Sequence, residues 1–359
     1  MRKPYFVRAI SILLLLLLAS AGIACSVSEK NPAKGASLRY EQNFVGPFDT
    51  VTTLLAYCDD EASFQQLEKL VREDLDYYHS LFDFYDNHPG VNNIKTINDE
   101  AGKTGVEVDP VIIDFLEQCI WAENITAGRV NVAFGSVLSI WHRVRTEGIE
   151  NPFQARLPGQ EELERANLHT DINKLEIDKE AGTVYLADPE MSLDVGSGSK
   201  GYACELITER AVAAGFESFV ISLGGNVRCV GVKSDSGMMW KIGVRNPDVE
   251  AENKVLDVLS VADKAIVTSG IYERYYTVDD IRYHHIIHPD TLMPSHFFDS
   301  VTMIAPDAKV ADALTTALLN MPLEEGQELL AALEGCEALW IKDGQRYTTT
   351  GYDDLLASD

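Results

Sequence analysis

The sequence predicts an α+β fold built as one large domain. Segments with helical apolar spacing alternate irregularly with short β-branched runs, and no internal repeat relates them. Apolar residues make up 46% of the chain, enough to bury a sizeable core. Glycine-rich turns follow several strand-like runs, and glycine is the residue that lets backbone approach a ligand closely.

Taken in order, residues 50–57 (TVTTLLAY) are rich in threonine and apolar side chains and read as a first strand. Residues 62–82 place Leu67, Leu70, Val71, Leu75, Tyr78 and Leu81 at helical spacing. Residues 110–126 form a second amphipathic helix, opened by Pro110, whose missing N–H costs nothing at a helix start. The polar stretch 151–173 reads as a loop-rich insertion. Residues 175–186 read as a hairpin turning at Ala181 and Gly182. A helix over 200–214, strands over 218–223 and 240–244, and two late helices over 308–320 and 324–333, split by Pro322, complete the pattern.

The N-terminus carries a different message. Arg2 and Lys3 precede an apolar run over 10–19, which reads as a secretory signal and is short for a membrane span. Gly22-Ile23-Ala24-Cys25 then leads into a polar stretch, and this order resembles a bacterial lipoprotein signal. The expectation is a signal peptide over 1–24, a lipid anchor on Cys25, a polar tether over 25–40, and the main folded domain over 41–359 on the extracytoplasmic face of the cell membrane. Gly22 stands where that signal usually has leucine, and ordinary cleavage near Ala24 is the alternative.

The roughly 330 residues after the leader suffice for one large domain or two entwined ones. Acidic residues outnumber basic ones, 56 to 30, for a net charge of −26. Such a surface repels a phosphate backbone and argues against nucleic acid as a partner. Cys58, Cys119, Cys204, Cys229 and Cys336 are scattered and build no zinc or redox motif.

Chemistry concentrates in the second half. Leu193-Asp194-Val195-Gly196-Ser197-Gly198-Ser199-Lys200-Gly201-Tyr202 reads as a strand closing on a carboxylate, a small-residue turn and a helix opened by a lysine. A helix N-terminus behind such a turn attracts anions such as pyrophosphate, although plain connectors share the pattern. It has neither the P-loop nor the dinucleotide-fingerprint spacing. Ser222-Leu223-Gly224-Gly225-Asn226-Val227-Arg228 and Thr268-Ser269-Gly270-Ile271-Tyr272-Glu273-Arg274 follow. His284, His285 and His288 invite a zinc reading, but the segment looks extended and a shared face does not follow from the spacing. Asp312 and Thr316 stand one helical turn apart, and their hard oxygens suit magnesium beside a phosphate. A surface aspartate and a buried threonine are the plainer reading of that pair.

The order of these motifs resembles the ApbE family of flavin transferases, with Gly135 to Trp141 and the segment 82–98 similar to its earlier parts. The likeness spans about residues 48–330. It implies two entwined lobes around a T-fold-like core, and transfer of FMN from FAD to a Thr or Ser hydroxyl of an acceptor flavoprotein, with release of AMP. It implies Mg2+ held by a surface-facing Asp312, by Thr316 and by the Ser197 carbonyl. It places Asp194, Lys200, Phe48, Tyr85 and Ile286 against the flavin dinucleotide, and His285 as the base for the acceptor hydroxyl. Two departures stand out: His288 replaces the family's acid in His-Ile-Ile-Asp-Pro, and Leu292 replaces a glycine. Metal-dependent hydrolysis of FAD and flavin binding without turnover remain the alternatives.

Overall fold

Leu38–Val45 (β1) and Val51–Cys58 (β2) pair antiparallel, from Leu38 opposite Cys58 to Val45 opposite Val51. The computed structural model describes residues 37–358, so the signal 1–24 and Cys25 lie outside the described residues. The tether does not reach residue 40 as expected, because Leu38, Arg39 and Tyr40 are already strand. Tyr40 stacks on Phe64 with ring centroids 5.2 Å apart, and that contact draws the chain into the sheet.

Glu61–Phe82 (α1) starts at Asp60, whose side chain accepts from Ser63 N at 2.8 Å, and it buries the stripe expected from its spacing except Leu70, which is half-buried. Ile94–Asp99 (α2) opens on a reciprocal cap between Asn93 and Thr96. Val106–Glu107 (β3) is followed by Pro110–Ile125 (α3), capped by Asp109 with proline at the first position. Gly135–Glu150 (α4) comes next. The stretch expected as loop contains a helix, Gln160–Asn167 (α5), because Leu163 is fully buried in the cluster that α4 helps to build. Leu175–Asp178 (β4) and Thr183–Leu186 (β5) form the expected hairpin, with Gly182 at φ +67°.

Ser199–Ala213 (α6), Phe219–Leu223 (β6), Asn226–Val230 (β7), Trp240–Arg245 (β8), Val255–Val261 (β9) and Ala265–Gly270 (β10) follow. Tyr275–Val278 (β11), Ile281–His284 (β12), Ser300–Ala305 (β13), Ala308–Leu319 (α7), Leu323–Ala331 (α8), Glu337–Lys342 (β14) and Gln345–Thr348 (β15) complete the chain. The strand expected to end at Asp194 is absent. Ser192 makes a single bridge to Phe134, since the segment is held by side-chain and loop bonds instead of a partner strand.

An eight-stranded antiparallel sheet runs β1-β2-β6-β7-β10-β13-β14-β15. Its central strands are apolar on both faces, as strands covered on both sides must be. In β6, Phe219, Ile221 and Leu223 face the core built with α1, α3, α6 and α7, while Val220 faces the opposite layer, closed by the β8–β9 hairpin through Trp240 and Leu259. Β10 and β13 repeat this alternation at Ile266 and Ile304. A third cluster joins Val137, Trp141 and Val144 of α4 to Leu163, Tyr276, Ile287 and Leu292. Segments far apart in sequence interleave there, on the side of the molecule where the chemistry collects. Among the described residues no helix is long and apolar enough to cross a membrane.

Candidate active site

The first wall of the site is the contact between α6 and α7. A Cβ on Gly201 would lie 2.3 Å from the Ala308 carbonyl oxygen and 2.3 Å from Asp312 Cβ, so only glycine lets the helices touch here. The Gly201 N–H donates to Asp312 Oδ2 at 2.8 Å. Gly201 lies in the first turn of α6, where a backbone N–H has no partner within the helix, and Asp312 supplies that partner. Asp312 is therefore buried rather than surface-facing, at 4% exposure. Burial raises its carboxyl above the ordinary range, opposed by Lys200, the Gly201 N–H and Asn226. Lys200 also reaches the Gly196 carbonyl at 3.4 Å.

Thr316 is half-buried one turn beyond Asp312, and its hydroxyl has no hydrogen-bond partner among the described residues. Its neighbour Thr315 is fully buried and locks the helix: Ser269 Oγ donates to Thr315 Oγ1 at 2.9 Å, which donates to the Asp312 carbonyl at 3.0 Å. The Thr-Ser-Gly motif thus ties β10 to α7. Asn226 enters from the β6–β7 hairpin, whose turn residues Gly224 and Gly225 have φ +56° and +94°, the pairing a two-residue hairpin requires. Asn226 is buried, and its Oδ1 has no hydrogen-bond partner among the described residues.

Asp194 supplies the second wall. Asn98 clamps Leu193, accepting its N–H at 2.7 Å and donating to its carbonyl at 2.9 Å, and Asp194 N donates to the Val132 carbonyl at 2.8 Å. Gly135 lets α4 begin against this segment, since a Cβ would lie 2.3 Å from the Ser192 carbonyl oxygen. Asp194 Oδ1 accepts from Gly196 N at 3.0 Å, and Oδ2 lies 3.8 Å from His142 Nε2. The other ring nitrogen of His142 is 3.4 Å from the Tyr85 hydroxyl. Burial lowers the His142 pKa, with Asp194 pulling it back. Tyr85 is 57% exposed as a whole residue, with its hydroxyl turned toward His142; burial and then Asp194 push it up to about 12.

Arg145, one turn beyond His142 on α4, and Arg274 act on these same groups. Burial and then Arg274 lower the Arg145 pKa, and neither arginine has an ion-pair partner among the described residues. Two cationic side chains that repel each other, with Asp194 the nearby carboxylate but in no ion pair with either, make a place for a further anion.

His285 closes the cleft at the end of β12. Its backbone N–H donates to the Arg274 carbonyl at 3.0 Å, and its Nδ1 lies 3.2 Å from the same oxygen. A carbonyl only accepts, so Nδ1 carries the proton and Nε2 keeps its lone pair. Burial, followed by Arg274 and Arg145, pushes the His285 pKa down to about 3. His284 points elsewhere: its Nε2 is 2.7 Å from the Ser295 carbonyl and its Nδ1 accepts from Ile286 N at 3.3 Å. His288 is buried, its Nδ1 accepting from Asp290 N at 3.2 Å. The three histidines do not gather into a metal-binding group among the described residues.

The two sequence departures have local explanations. An acid at position 288 could cap the same turn that His288 caps, and the negative charge is supplied two residues on, where Asp290 meets Arg129 at 2.6 Å. Leu292 sits at φ +59°, where glycine would be unstrained, and is held by its burial against Trp141, whose Nε1 donates to the Leu292 carbonyl at 3.0 Å. Ile286 is buried, with its carbonyl taking Ser295 N at 2.9 Å, so it supports the loop from within the core. Phe48 lies in a short turn at φ +60°, its N–H donating to His79 Nδ1 at 3.3 Å.

Sequence reasoning passed over His142 and Arg145, and read Arg274 only as part of a motif. The first two share one face of α4 beside Trp141 and Val144, a cue that a basic pair on an otherwise core-facing helix could have given.

The ApbE family model matches residues 48–340. A FAD:protein FMN transferase of Treponema pallidum is 32% identical over 268 residues, covering 70% of this chain and 71% of that protein. One of Klebsiella pneumoniae is 28% identical over 289 residues, covering 80% and 84%. The crystal structure of an ApbE protein from Thermotoga maritima superposes with a TM-score of 0.78 at 27% identity, over 89% of this chain and all of that one.

Proposed function

Since the chain belongs to the ApbE family, we propose that it transfers FMN from FAD to a Thr or Ser hydroxyl of an acceptor flavoprotein. One observation carries the reading: the Arg274 carbonyl fixes His285 with its basic Nε2 free, next to two arginines that form no ion pair among the described residues. FAD brings a counter-charge as pyrophosphate. Its negative charge offsets Arg274 and Arg145 and so lifts the His285 pKa from its depressed value, making the imidazole a stronger base once substrate is bound. Nε2 accepts the hydroxyl proton, the hydroxyl oxygen bonds to the flavin-side phosphorus, and the bond to the AMP phosphate breaks with its electron pair on AMP. Lys200 and the start of α6 meet the phosphates, and Tyr85, Phe48 and Asp194 meet the flavin half, with Ile286 behind the loop.

A magnesium ion fits the α6–α7 corner. Asp312, the Ser197 carbonyl and the Thr316 hydroxyl would hold it, and the orphaned Asn226 Oδ1 nearby marks a polar corner short of partners. When bound, the ion would neutralise pyrophosphate charge on the transferring and leaving groups. The work of the protein is to hold those oxygens in place. We place the enzyme outside the cytoplasm, anchored by lipid at Cys25, on the basic-then-apolar leader and the small residues before the cysteine. Extracytoplasmic or membrane electron-transfer proteins are the acceptors this location supplies.

The test is incubation of the chain with FAD, Mg2+ and a candidate acceptor, followed by denaturing electrophoresis. Flavin fluorescence on the acceptor band, lost without Mg2+, is expected. AMP and FMN released with no labelled band under any acceptor would replace transfer by hydrolysis.

A further inference from the structure

A second group of metal-binding side chains lies behind Phe48, away from the Asp312 corner. His79 is in the last turn of α1, Asp83 caps that helix, and His88 sits in the following turn; one ligand atom from each lies within 4.8 Å of the others. Asp83 N donates to the His79 carbonyl at 3.0 Å, which fixes the two on one helix end. Val91 N donates to the His88 carbonyl at 3.1 Å, and Gly90 at φ +77° closes that turn. The two imidazoles meet edge to face with centroids 5.7 Å apart, and His88 Nε2 is 2.9 Å from Asp83 Oδ2. Burial works against the Asp83 charge, but bonds from His88, Asp86 N and Tyr85 N overcome it and hold the carboxyl below its ordinary range. His88 remains 30% exposed, leaving the group an entry from solvent.

We propose that His79, Asp83 and His88 bind a divalent transition metal of the zinc class, with water as the fourth ligand. Two imidazoles and one carboxylate with an open side are a borderline-soft donor set that favours zinc over magnesium. Ligand atoms on a tetrahedral zinc stand about 3.3 Å apart for bonds of 2.0–2.1 Å. His88 and Asp83 are already closer than this, and side-chain rotation brings His79 in.

Occupancy has a consequence for Phe48. His79 Nδ1 now accepts the Phe48 N–H, so in the neutral ring the proton is on Nε2. A metal on Nδ1 displaces the Phe48 N–H; a metal on Nε2 moves the proton to Nδ1, which can then no longer accept. Either way the Phe48 bond is lost. Phe48 and Asp49 both hold positive φ, +60° and +50°, which non-glycine residues keep only while their surroundings hold them. Metal at this site therefore loosens the turn that carries Phe48 and weakens flavin binding.

The experiment uses the full chain in detergent with saturating Mg2+, titrated with Zn2+ against a colorimetric chelator, beside His88→Ala. His88→Ala leaves the Phe48–His79 contact in place. The parent should bind one more equivalent of zinc than the variant, or bind it about tenfold or more tighter. Co2+ should give the parent a tetrahedral visible spectrum that the variant lacks. Equal zinc binding and equal spectra in both would overturn the site. The second arm rests on the flavin reading: Zn2+ should weaken FAD binding to the parent and not to His88→Ala. Zinc bound without any change in FAD affinity would overturn the coupling and leave the site standing.

Discussion

The corner between α6 and α7 and the wall formed by α4 with the His285 loop are built on opposite principles. At the corner, polar groups are buried and ordered before any ligand arrives: Asp312 takes the Gly201 N–H, Thr315 hooks Ser269, and Gly201 allows the helices to touch. At the wall, Arg145 and Arg274 repel each other and form no ion pair among the described residues, Tyr85 stands open, and His285 is held in a weakly basic state. On the proposed reading, one side would receive a cation with little rearrangement, and the other becomes favourable only when an anion fills it. A site for a pyrophosphate bridged to a metal needs both, and the contrast says which substitutions cost stability and which cost only function.

The largest effect should come from the corner. Asp312→Ala should abolish metal-dependent turnover and also lower stability by about 1–3 kcal/mol, because the buried Gly201 N–H loses its acceptor. Asp312→Asn keeps an acceptor oxygen but loses the charge; it should recover much of the stability and little of the activity. Urea unfolding beside a transfer assay separates the two. Parental turnover in either variant would remove Asp312 from the metal site.

His285→Asn should slow transfer by about two to four orders of magnitude while FAD still binds. The free enzyme's imidazole, pushed down to about 3, is neutral throughout pH 5–8, so kcat/KM should show no histidine inflection there. In the substrate complex the phosphate charge raises that pKa, and kcat should climb with pH where kcat/KM does not. His284→Asn makes the contrast within one dipeptide: its two ring bonds are structural, so it should lose thermal stability and keep its rate. Near-parental transfer by His285→Asn would move the base elsewhere.

Arg145→Ala is expected to weaken FAD binding about tenfold to a hundredfold, the scale of charge-assisted hydrogen bonds. It should not destabilise the free protein, since it removes a repulsion with Arg274 and no ion pair. A large fall in Tm with unchanged FAD affinity, read by calorimetry and flavin titration, would show that Arg145 holds the fold instead.

The fold was more legible than the wall because strands and helices announce themselves by periodicity. The stripe of α1, Pro110 at the head of α3 and Pro322 between α7 and α8 all appear in the sequence as they do in space. Β1 hid because Arg39, Glu41, Gln42 and Asn43 give an edge strand the composition of a linker. Asp312 was legible as a residue but not as a buried one: its burial depends on Gly201, more than a hundred residues earlier, having no side chain. The arginine pair was least legible. Arg145 and Arg274 become neighbours only through the packing of Trp141, Tyr276 and Leu292, and no local pattern encodes that meeting.

The smallest expected effect on the transfer rate concerns His288, and it tests whether the departure at that position is chemical or structural. Asp at 288 could accept the Asp290 N–H that His288 accepts now, and it would sit beside Arg129, but it would also repel Asp290. Position 288 is buried and its ring packs beside Phe297, so His288→Asp also loses packing and buries a carboxylate and should be less stable at pH 8, by about 1–3 kcal/mol. Acid is more revealing. Burial lowers the His288 pKa in the folded protein below its unfolded value near 6.5, so the unfolded chain binds the proton first and stability falls as pH drops below about 6.5. His288→Asp removes that source of loss, because the imidazole that takes up the proton is gone. The Tm deficit of His288→Asp should therefore be smaller at pH 5 than at pH 8, with the transfer rate unchanged at both. A rate change of more than about tenfold at pH 8 would mean that position 288 acts on the reacting groups. Equal acid sensitivity in the two proteins would instead place the acid-labile histidines at 142, 284 and 285, where burial lowers the ring pKa as well.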